Sequence, residues 1–364
     1  MENLVNPSAK FWDAKRVFIT GHTGFKGAWL CHWLEYLGAK VTGFALPPDT
    51  EPNLFSLGRL DRYIDSKIGD IRKLDEILAA MHRAEPELVI HMAAQALVRR
   101  SYVEPVETYA TNVMGTVHVL DAVREVGSVR VIINVTSDKC YENQEWVWAY
   151  RESEPMGGND PYSSSKGCAE LVTSSYRRSF FASQARGRSV ALASVRAGNV
   201  IGGGDWANDR LIPDCIRGLM AGNEIQVRNP EAVRPWQHVL EPLSGYLILA
   251  ERLWQKGDCY TEGWNFGPSE DEFRSVAWLV ERVTGLWGKG ARWRVQEGEH
   301  PHEATYLRVD SSKARARLGW RARLNLSDAL DWTVLWYRRC QAGEDPRVVT
   351  LDQIQQYECL NGYE

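Results

Sequence analysis

Short apolar runs alternate with longer amphipathic stretches along the first two hundred residues. Arg16-Val-Phe-Ile-Thr20, Lys40-Val-Thr-Gly-Phe-Ala-Leu46, a stretch near 63–69, Leu88-Val-Ile-His-Met-Ala93, Val129-Arg-Val-Ile-Ile-Asn-Val135 and Ser189-Val-Ala-Leu-Ala-Ser-Val195 read as strands. Several are almost continuously apolar, which is the pattern of a strand covered on both faces. Between the first two, Phe25, Ala28, Trp29, Leu30, Trp33, Leu34 and Leu37 recur at helical spacing, and Gly38 supplies a stop. Further helices are expected at 72–84, 105–126 and 161–183. This alternation predicts an α/β fold with a doubly wound parallel sheet and helices on both faces.

Beyond about residue 200 the pattern loosens. Gly202-Gly-Gly204 is a flexible break, and the segments up to 364 mix short strands and helices. The expected division is therefore 1–200 and 201–364, approximate and with the chain free to cross back. The second part reads as a smaller mixed α/β region wrapped onto the carboxyl edge of the sheet. Asp345–Glu364 is polar, and the pattern leaves an ordered tail and a frayed one equally open. There is no internal repeat and no low-complexity tract.

Composition narrows the function classes. The 364 residues suit two or so domains, or one large α/β unit with an appended region. Hydrophobic residues at 44% and charged residues at 25% exclude a disordered or fibrous chain. The net charge of −4 gives no overall pull toward nucleic acid or an anionic membrane. No apolar run reaches the roughly 18 residues of a membrane span. The polar first fifteen residues lack the apolar core of a signal peptide. Seven scattered cysteines without a CxxC pair read as reduced thiols in a cytoplasmic protein. The 15 tryptophans are expected in the core or in a pocket wall. His300-Pro-His302-Glu303 superficially resembles a metal cluster, but no further clustered ligand accompanies it, and no metal is expected.

Gly21-His22-Thr23-Gly24-Phe25-Lys26-Gly27 follows the first strand and opens the first helix. Glycines there permit a tight turn and a close backbone approach to a pyrophosphate resting on free helix amides. This placement points to a Rossmann-type dinucleotide site over 1–200, although the spacing is Gly-x-x-Gly-x-x-Gly. The second strand ends Phe44-Ala45-Leu46, with neither an acid for the ribose of NAD nor a base for the phosphate of NADP.

Asn159-Asp160-Pro161 is a helix start, so Tyr162 and Lys166 share one helical face. An ammonium beside a phenol favours the phenolate and lowers its pKa from about 10. The pair is thus a candidate general base for a hydroxyl proton. The plainer alternative is a Tyr and a Lys on an ordinary amphipathic helix. The glycine loop upstream and the strand leading to Ser137 tip the balance toward chemistry.

Taken together, Gly21–Gly27, Asp70-Ile71, Ala93-Ala94-Gln95, Asn112 and Tyr162/Lys166 resemble an extended short-chain dehydrogenase/reductase over nearly the whole chain. Thr136-Ser137-Asp138-Lys139-Cys140-Tyr141 is similar to the nucleotide-sugar 4,6-dehydratases, which usually carry Thr-Asp-Glu there. The Asp-Lys pair, with the glycine loop and Pro235-Trp-Gln-His-Val239, resembles the branch of that family acting on CDP-glucose.

The resemblance implies an enzyme with NAD as cofactor. The implied cofactor contacts are Gly21, His22, Thr23, Gly24, Phe25, Lys26, Gly27, Asp70, Ile71, Ala93, Ala94, Gln95, Asn112, Tyr162 and Lys166. The implied catalytic set is Ser137, Asp138, Lys139, Tyr162 and Lys166. Tyr162 takes the sugar 4-hydroxyl proton, Ser137 holds that hydroxyl, and Asp138 is the candidate acid for the departing 6-hydroxyl. Lys139 stands where relatives have a glutamate base. To act as base it must be neutral, with a pKa well below about 10.4; the alternative is a charged stabiliser of the enolate. Substrate contacts are expected from Gln95, Ser137, Asn199, Arg210, Arg234 and His238, the arginines matching phosphate oxygens. The implied partner is a small nucleotide sugar, CDP-glucose foremost, with no nucleic acid and no membrane, and self-association as a homodimer or a dimer of dimers. A 4-epimerase, a dehydratase for another nucleotide sugar and a non-catalytic nucleotide-binding scaffold remain the alternatives.

Overall fold

The computed structural model describes residues 5–182, 189–269, 273–288, 290–296 and 307–360. Thirteen strands run along the described chain: β1 (Arg16–Thr20), β2 (Lys40–Ala45), β3 (Asp65–Ile68), β4 (Leu88–His91), β5 (Val131–Val135), β6 (Ala191–Ala197), β7 (Asn199–Ile201), β8 (Ile225–Val227), β9 (Val233–Arg234), β10 (Trp236–His238), β11 (Gly263–Phe266), β12 (Arg274–Ser275) and β13 (Trp293–Val295). Seven of them form one sheet in the order β11-β6-β5-β4-β1-β2-β3, with every neighbouring pair parallel. The doubly wound parallel sheet expected from the apolar pattern is therefore present.

The near-continuous apolar runs feed two cores at once. Val17, Ile19, Leu88, Ile90, Val131 and Ile133 face one layer, and their chain neighbours Phe18, Val89 and Ile132 face the other. Trp12, Trp29, Trp33, Trp264 and Trp336 are fully buried, as expected of rings that fill a core. All seven cysteines are free.

Three elements differ from the reading of the sequence. The strand expected at 189–195 runs two residues later and takes in Arg196, which an apolar pattern excludes. Inside the core, Glu170 holds the Arg196 guanidinium through Nε–Oε1 and Nη2–Oε2 bonds, both 2.8 Å. The helix expected at 105–126 is broken into Pro105–Tyr109, a π-helical turn over Ala110–Met114, and Gly115–Glu125. The wide turn carries Asn112 toward the backbone of Gln95, a common use of such turns near a site. The helix from Pro161 ends at Tyr176 and widens into a π turn over Arg177–Phe181. β11, from beyond residue 200, pairs with β6, so the sheet draws on both parts of the chain.

The polar end of the chain is an ordered helix, Pro346–Cys359, capped by the Asp345 side chain. Its polar residues make specific long-range contacts. Arg347 donates to Glu35 at 2.6 Å and bonds His32 at 2.9 Å, while Trp33 Nε1 donates to Glu358 at 2.8 Å. Tyr357 donates to Glu241 Oε2 at 2.8 Å, and the other Glu241 oxygen accepts from the amides of Arg323 and Leu324.

Burial pushes the Glu241 carboxyl up from 4.5 to about 7. A carboxyl whose folded pKa is raised contributes stability that is complete below its unfolded value and lost as pH rises through the folded one. Between pH 4.5 and 7, that loss is expected to reach ~3 kcal/mol. Thermal unfolding of Glu241→Gln beside the parent over this window checks it. The gap between the two should open in favour of the variant as pH rises, and a constant gap contradicts the assignment.

Candidate active site

The turn between β1 and the helix Phe25–Tyr36 is held by two glycines. Gly21 has φ +83°, and a Cβ there would lie 2.7 Å from the Ala93 amide nitrogen. A Cβ on Gly27 would lie 2.1 Å from the Gly21 carbonyl oxygen. Gly24 is different: a Cβ would make only an ordinary contact of 3.5 Å, so packing within the chain does not demand glycine there. Gly24 caps the helix and lines a cavity of about 870 Å³. The first helix amides lack intrahelical acceptors, and with Gly24 bare they form a cradle for an anionic group. These residues fit the pyrophosphate of a dinucleotide.

The cavity sits at the carboxyl ends of the sheet strands, where doubly wound folds bind ligands. Thr23, Phe25 and Lys26 of the glycine loop line it, as do Asp70, Ile71, Ala93, Ala94 and Gln95. Thr23 Oγ1 ties the loop to the end of β2 by donating to the Leu46 carbonyl at 2.9 Å. Lys26 Nζ donates to the Tyr246 hydroxyl at 3.2 Å. Burial, helped by the charges of Lys166 and Arg210, pushes this amine down to about 7. The Asp70 carboxylate is engaged by the Arg72 amide and guanidinium.

Three expected contacts do not reach the cavity. His22 turns away and bonds Ser66 Oγ at 2.7 Å; burial pushes it down to about 4, so the ring is neutral. Asn112 instead fixes the backbone of Gln95, accepting from its amide at 2.9 Å, and donates to Ser165 Oγ at 2.8 Å. It thereby clamps the end of β4 to the helix bearing Tyr162. The substrate role expected of His238 is corrected: its ring is wholly buried between Trp29 and Trp332, with centroids 5.8 Å from each. Burial pushes it down to about 3, so the ring is neutral.

The helix Pro161–Tyr176 starts as its sequence predicts. Asp160 accepts from the Ser163 amide at 2.9 Å, and Pro161 takes the first turn. Tyr162 and Lys166 follow on the cavity side, both almost wholly buried. Lys166 Nζ donates to the Val135 carbonyl at 3.4 Å, and burial pushes it down to about 8. The phenol differs from expectation. Removal from water pushes Tyr162 up to about 12, outweighing the hydrogen bond with Ser137 that favours its ionised form.

β5 delivers the opposing residues. Thr136 donates to Glu170 at 2.5 Å, and this anchors the strand end. Burial alone would raise the Glu170 carboxyl; the Arg196 charge and its bonds overcome this and hold it below the ordinary range. Ser137 then caps a 3-10 turn, Asp138–Cys140, accepting from the Lys139 amide at 3.2 Å. Its hydroxyl donates to Asp138 Oδ1 at 3.0 Å. Burial raises the Asp138 carboxyl although the Lys139 charge and the Ser137 bond oppose it. Lys139 is half-buried at the cavity wall.

Asn199, Arg210 and Arg234 line the far wall. Arg210 bonds Asp205 at 3.1 Å. The sequence reading missed Asp49, which lines the cavity four residues past β2, beyond Pro47-Pro48. It also missed Arg99 and Arg228, cavity residues that both reach Asp209 at 3.4 Å. The adjacent arginines just past the fourth strand were the available signal. His300, His302 and Glu303 lie outside the described residues.

Residues 18–333 match a family model described as GDP-mannose 4,6 dehydratase. The chain is 53% identical to the CDP-glucose 4,6-dehydratase of Salmonella typhimurium over 348 residues, covering 95% of this chain and 97% of that one. This chain belongs to the nucleotide-sugar 4,6-dehydratases of the extended short-chain dehydrogenase/reductase family. A dTDP-glucose 4,6-dehydratase from Streptomyces griseus is 30% identical over 73% of this chain and 76% of its own length. Among solved structures, a dTDP-glucose 4,6-dehydratase from Streptomyces venezuelae with NAD and DAU bound matches with a TM-score of 0.76 at 23% identity, over 91% of this chain and 99% of that one. A UDP-glucose 4-epimerase from Thermotoga maritima with UDP-glucose matches with a TM-score of 0.75 at 22% identity, over 89% and 99%. Dehydratase and epimerase thus share this fold, and the residues of the site must choose between the reactions.

Proposed function

We propose that this protein is an NAD-dependent CDP-glucose 4,6-dehydratase, releasing water and CDP-4-keto-6-deoxyglucose. The observation that carries the reading is the gathering of Ser137, Asp138, Lys139, Tyr162 and Lys166 on one cavity, in a chain 53% identical to the Salmonella enzyme.

NAD held at the glycine turn Gly21–Gly27 would supply the redox chemistry, an internal hydride transfer from sugar carbon 4 to carbon 6. The chain's own groups move the protons. Tyr162, as phenolate, takes the 4-hydroxyl proton, with the Lys166 ammonium stabilising the charge. Ser137 holds that hydroxyl. The 4-ketone acidifies the proton on carbon 5, which Lys139 removes and later returns. Asp138, whose carboxyl burial favours in the protonated form, gives its proton to the departing 6-hydroxyl. Arg210 and Arg234 hold the diphosphate, Gln95 and Asn199 contact the sugar, and Asp49, which lines the same cavity, accepts from a ribose hydroxyl in this reading.

An epimerase needs no acid and base for water loss, so Asp138 and Lys139 discriminate. Asp138→Asn and Lys139→Ala are each expected to slow formation of the 4-keto-6-deoxy product by about 10²–10⁴-fold while sugar oxidation stays measurable. Mass detection of product from CDP-glucose and NAD checks it; full-rate dehydration by both variants overturns these roles.

The protein pairs with a second copy in this reading. Tyr102, Val103, Val106, Met114 and Leu171 are exposed on neighbouring helices and give an apolar face for it. No described helix is long and apolar enough to cross a membrane.

A further inference from the structure

The groups that act on the sugar come from two separate pieces of the chain. Ser137, Asp138 and Lys139 sit on the turn between the end of β5 and Tyr141. Tyr162 and Lys166 sit on the helix Pro161–Tyr176. The acid and base of the turn must meet a sugar that the helix oxidises, so the spacing of turn and helix decides the chemistry.

We propose that the buried Glu170–Arg196 ion pair is a positioning clamp, holding the catalytic turn by both its ends against the helix that carries Tyr162 and Lys166. The proposal rests on the catalytic roles given above.

Glu170 stands one turn beyond Lys166 on the same helix, and both members of the pair are almost wholly buried. Glu170 Oε1 accepts from Thr136 Oγ1 at 2.5 Å, at the residue just before Ser137. Arg196 grips both Glu170 oxygens through Nε and Nη2 at 2.8 Å. Its Nη1 donates to the Tyr141 hydroxyl at 2.7 Å, just beyond the turn. A guanidinium is planar with its donors in a fixed fork, so the carboxylate and the phenol are held at a set spacing.

Between the two ends, the Cys140 carbonyl accepts from the Gly157 amide at 2.9 Å. Gly167, beside Lys166, permits the close approach of turn and helix. A Cβ there would lie 2.9 Å from the Gly157 carbonyl oxygen and 3.3 Å from that of Cys140. Packed apolar side chains often match a buried ion pair in stability. The pair adds a fixed geometry that apolar packing does not supply.

Thr136→Val and Tyr141→Phe each free one end and leave the ion pair in place. The first keeps the bond of the residue 136 amide to the Val195 carbonyl at 2.9 Å. The second keeps the ring stacked on Tyr150, with centroids 5.2 Å apart. Ser194→Ala is the control: Ser194 Oγ donates to Glu170 Oε2 at 2.7 Å, in the same network but away from the turn. In single turnovers of CDP-glucose, absorbance of the reduced cofactor follows sugar oxidation and mass detection of the 4-keto-6-deoxy product follows water loss. Water loss should slow by about 10–100-fold in both end variants with oxidation little changed, so that reduced cofactor builds up. The variant carrying both substitutions should lose little more than the worse single one, since one loose end already frees the turn. Ser194→Ala should keep the parent's balance of the two steps. Parent-like water loss in the end variants, equal slowing of both steps, multiplying effects in the double variant, or the same imbalance in Ser194→Ala overturns the clamp.

A second readout needs no turnover. The Lys139 and Cys140 amides bond Ser137 Oγ at 3.2 Å and the Ser137 carbonyl oxygen at 3.3 Å. Their hydrogen exchange should quicken by about tenfold or more in both end variants and stay at the parent rate in Ser194→Ala. Unchanged exchange in the end variants overturns the clamp whatever the substrate. A parent that makes no 4-keto-6-deoxy product from CDP-glucose overturns the functional reading instead, and exchange then still decides whether the turn is clamped.

Discussion

Replacing Tyr162 by Phe should cut turnover by about 10²–10⁴-fold, the usual contribution of a positioned acid–base group. The start of the helix stays in place, because the backbone amide of residue 162 still donates to Ser101 Oγ at 3.1 Å. The Asp160 cap on the Ser163 amide is likewise untouched. Only the phenolic oxygen is lost. The reaction should therefore stop before oxidation, with neither reduced cofactor nor ketone formed, whereas Asp138→Asn and Lys139→Ala stop it afterwards. Titration calorimetry with CDP should show affinity unchanged, giving a fall in kcat without a matching rise in KM. A Phe variant that turns over within tenfold of the parent removes Tyr162 from the chemistry.

The second large effect lies under the site. Arg196→Leu should lower unfolding stability by about 3–5 kcal/mol, because it leaves the Glu170 carboxylate buried without its partner. Arg196 also donates to the Tyr141 hydroxyl at 2.7 Å, which in turn donates to Asn265 at 2.7 Å. The loss therefore spreads from β6 to β11. Urea unfolding checks the magnitude. Adding Glu170→Met to Arg196→Leu should recover part of it, since removing both charges leaves nothing unpaired. A double variant no better than the single one places the damage in packing. The pH dependence has the opposite sign to that at Glu241. Glu170 is held below its ordinary range, so its contribution is present at neutral pH and lost as acid protonates it.

The parts of this molecule readable in advance are those governed by local rules. β1, the glycine turn and the first helix follow from an apolar run, three glycines and helical spacing. Asp160-Pro161 announces the helix that carries Tyr162 and Lys166. What escaped depends on partners far away in the chain. Arg196 can sit in a strand because Glu170 meets it there, and no pattern within 189–195 says so. His238 looks like a ligand in sequence, yet Trp29 and Trp332 enclose it. Asp49 reaches the cavity after two prolines, past the point where a strand-end rule looks. The phenol of Tyr162 is governed by burial, which the spacing of a Tyr and a Lys does not encode.

The closing helix, Pro346–Cys359, grips the helix that begins at the glycine turn through Arg347, His32, Glu35, Trp33 and Glu358. Side chains more than three hundred positions downstream thus brace the helix that, in the proposed function, opens the cradle for the dinucleotide pyrophosphate. Laboratory evolution aimed at a looser or tighter grip on cofactor would do well to randomise 345–358 alongside the turn itself, since a strut can be tuned without touching what it supports.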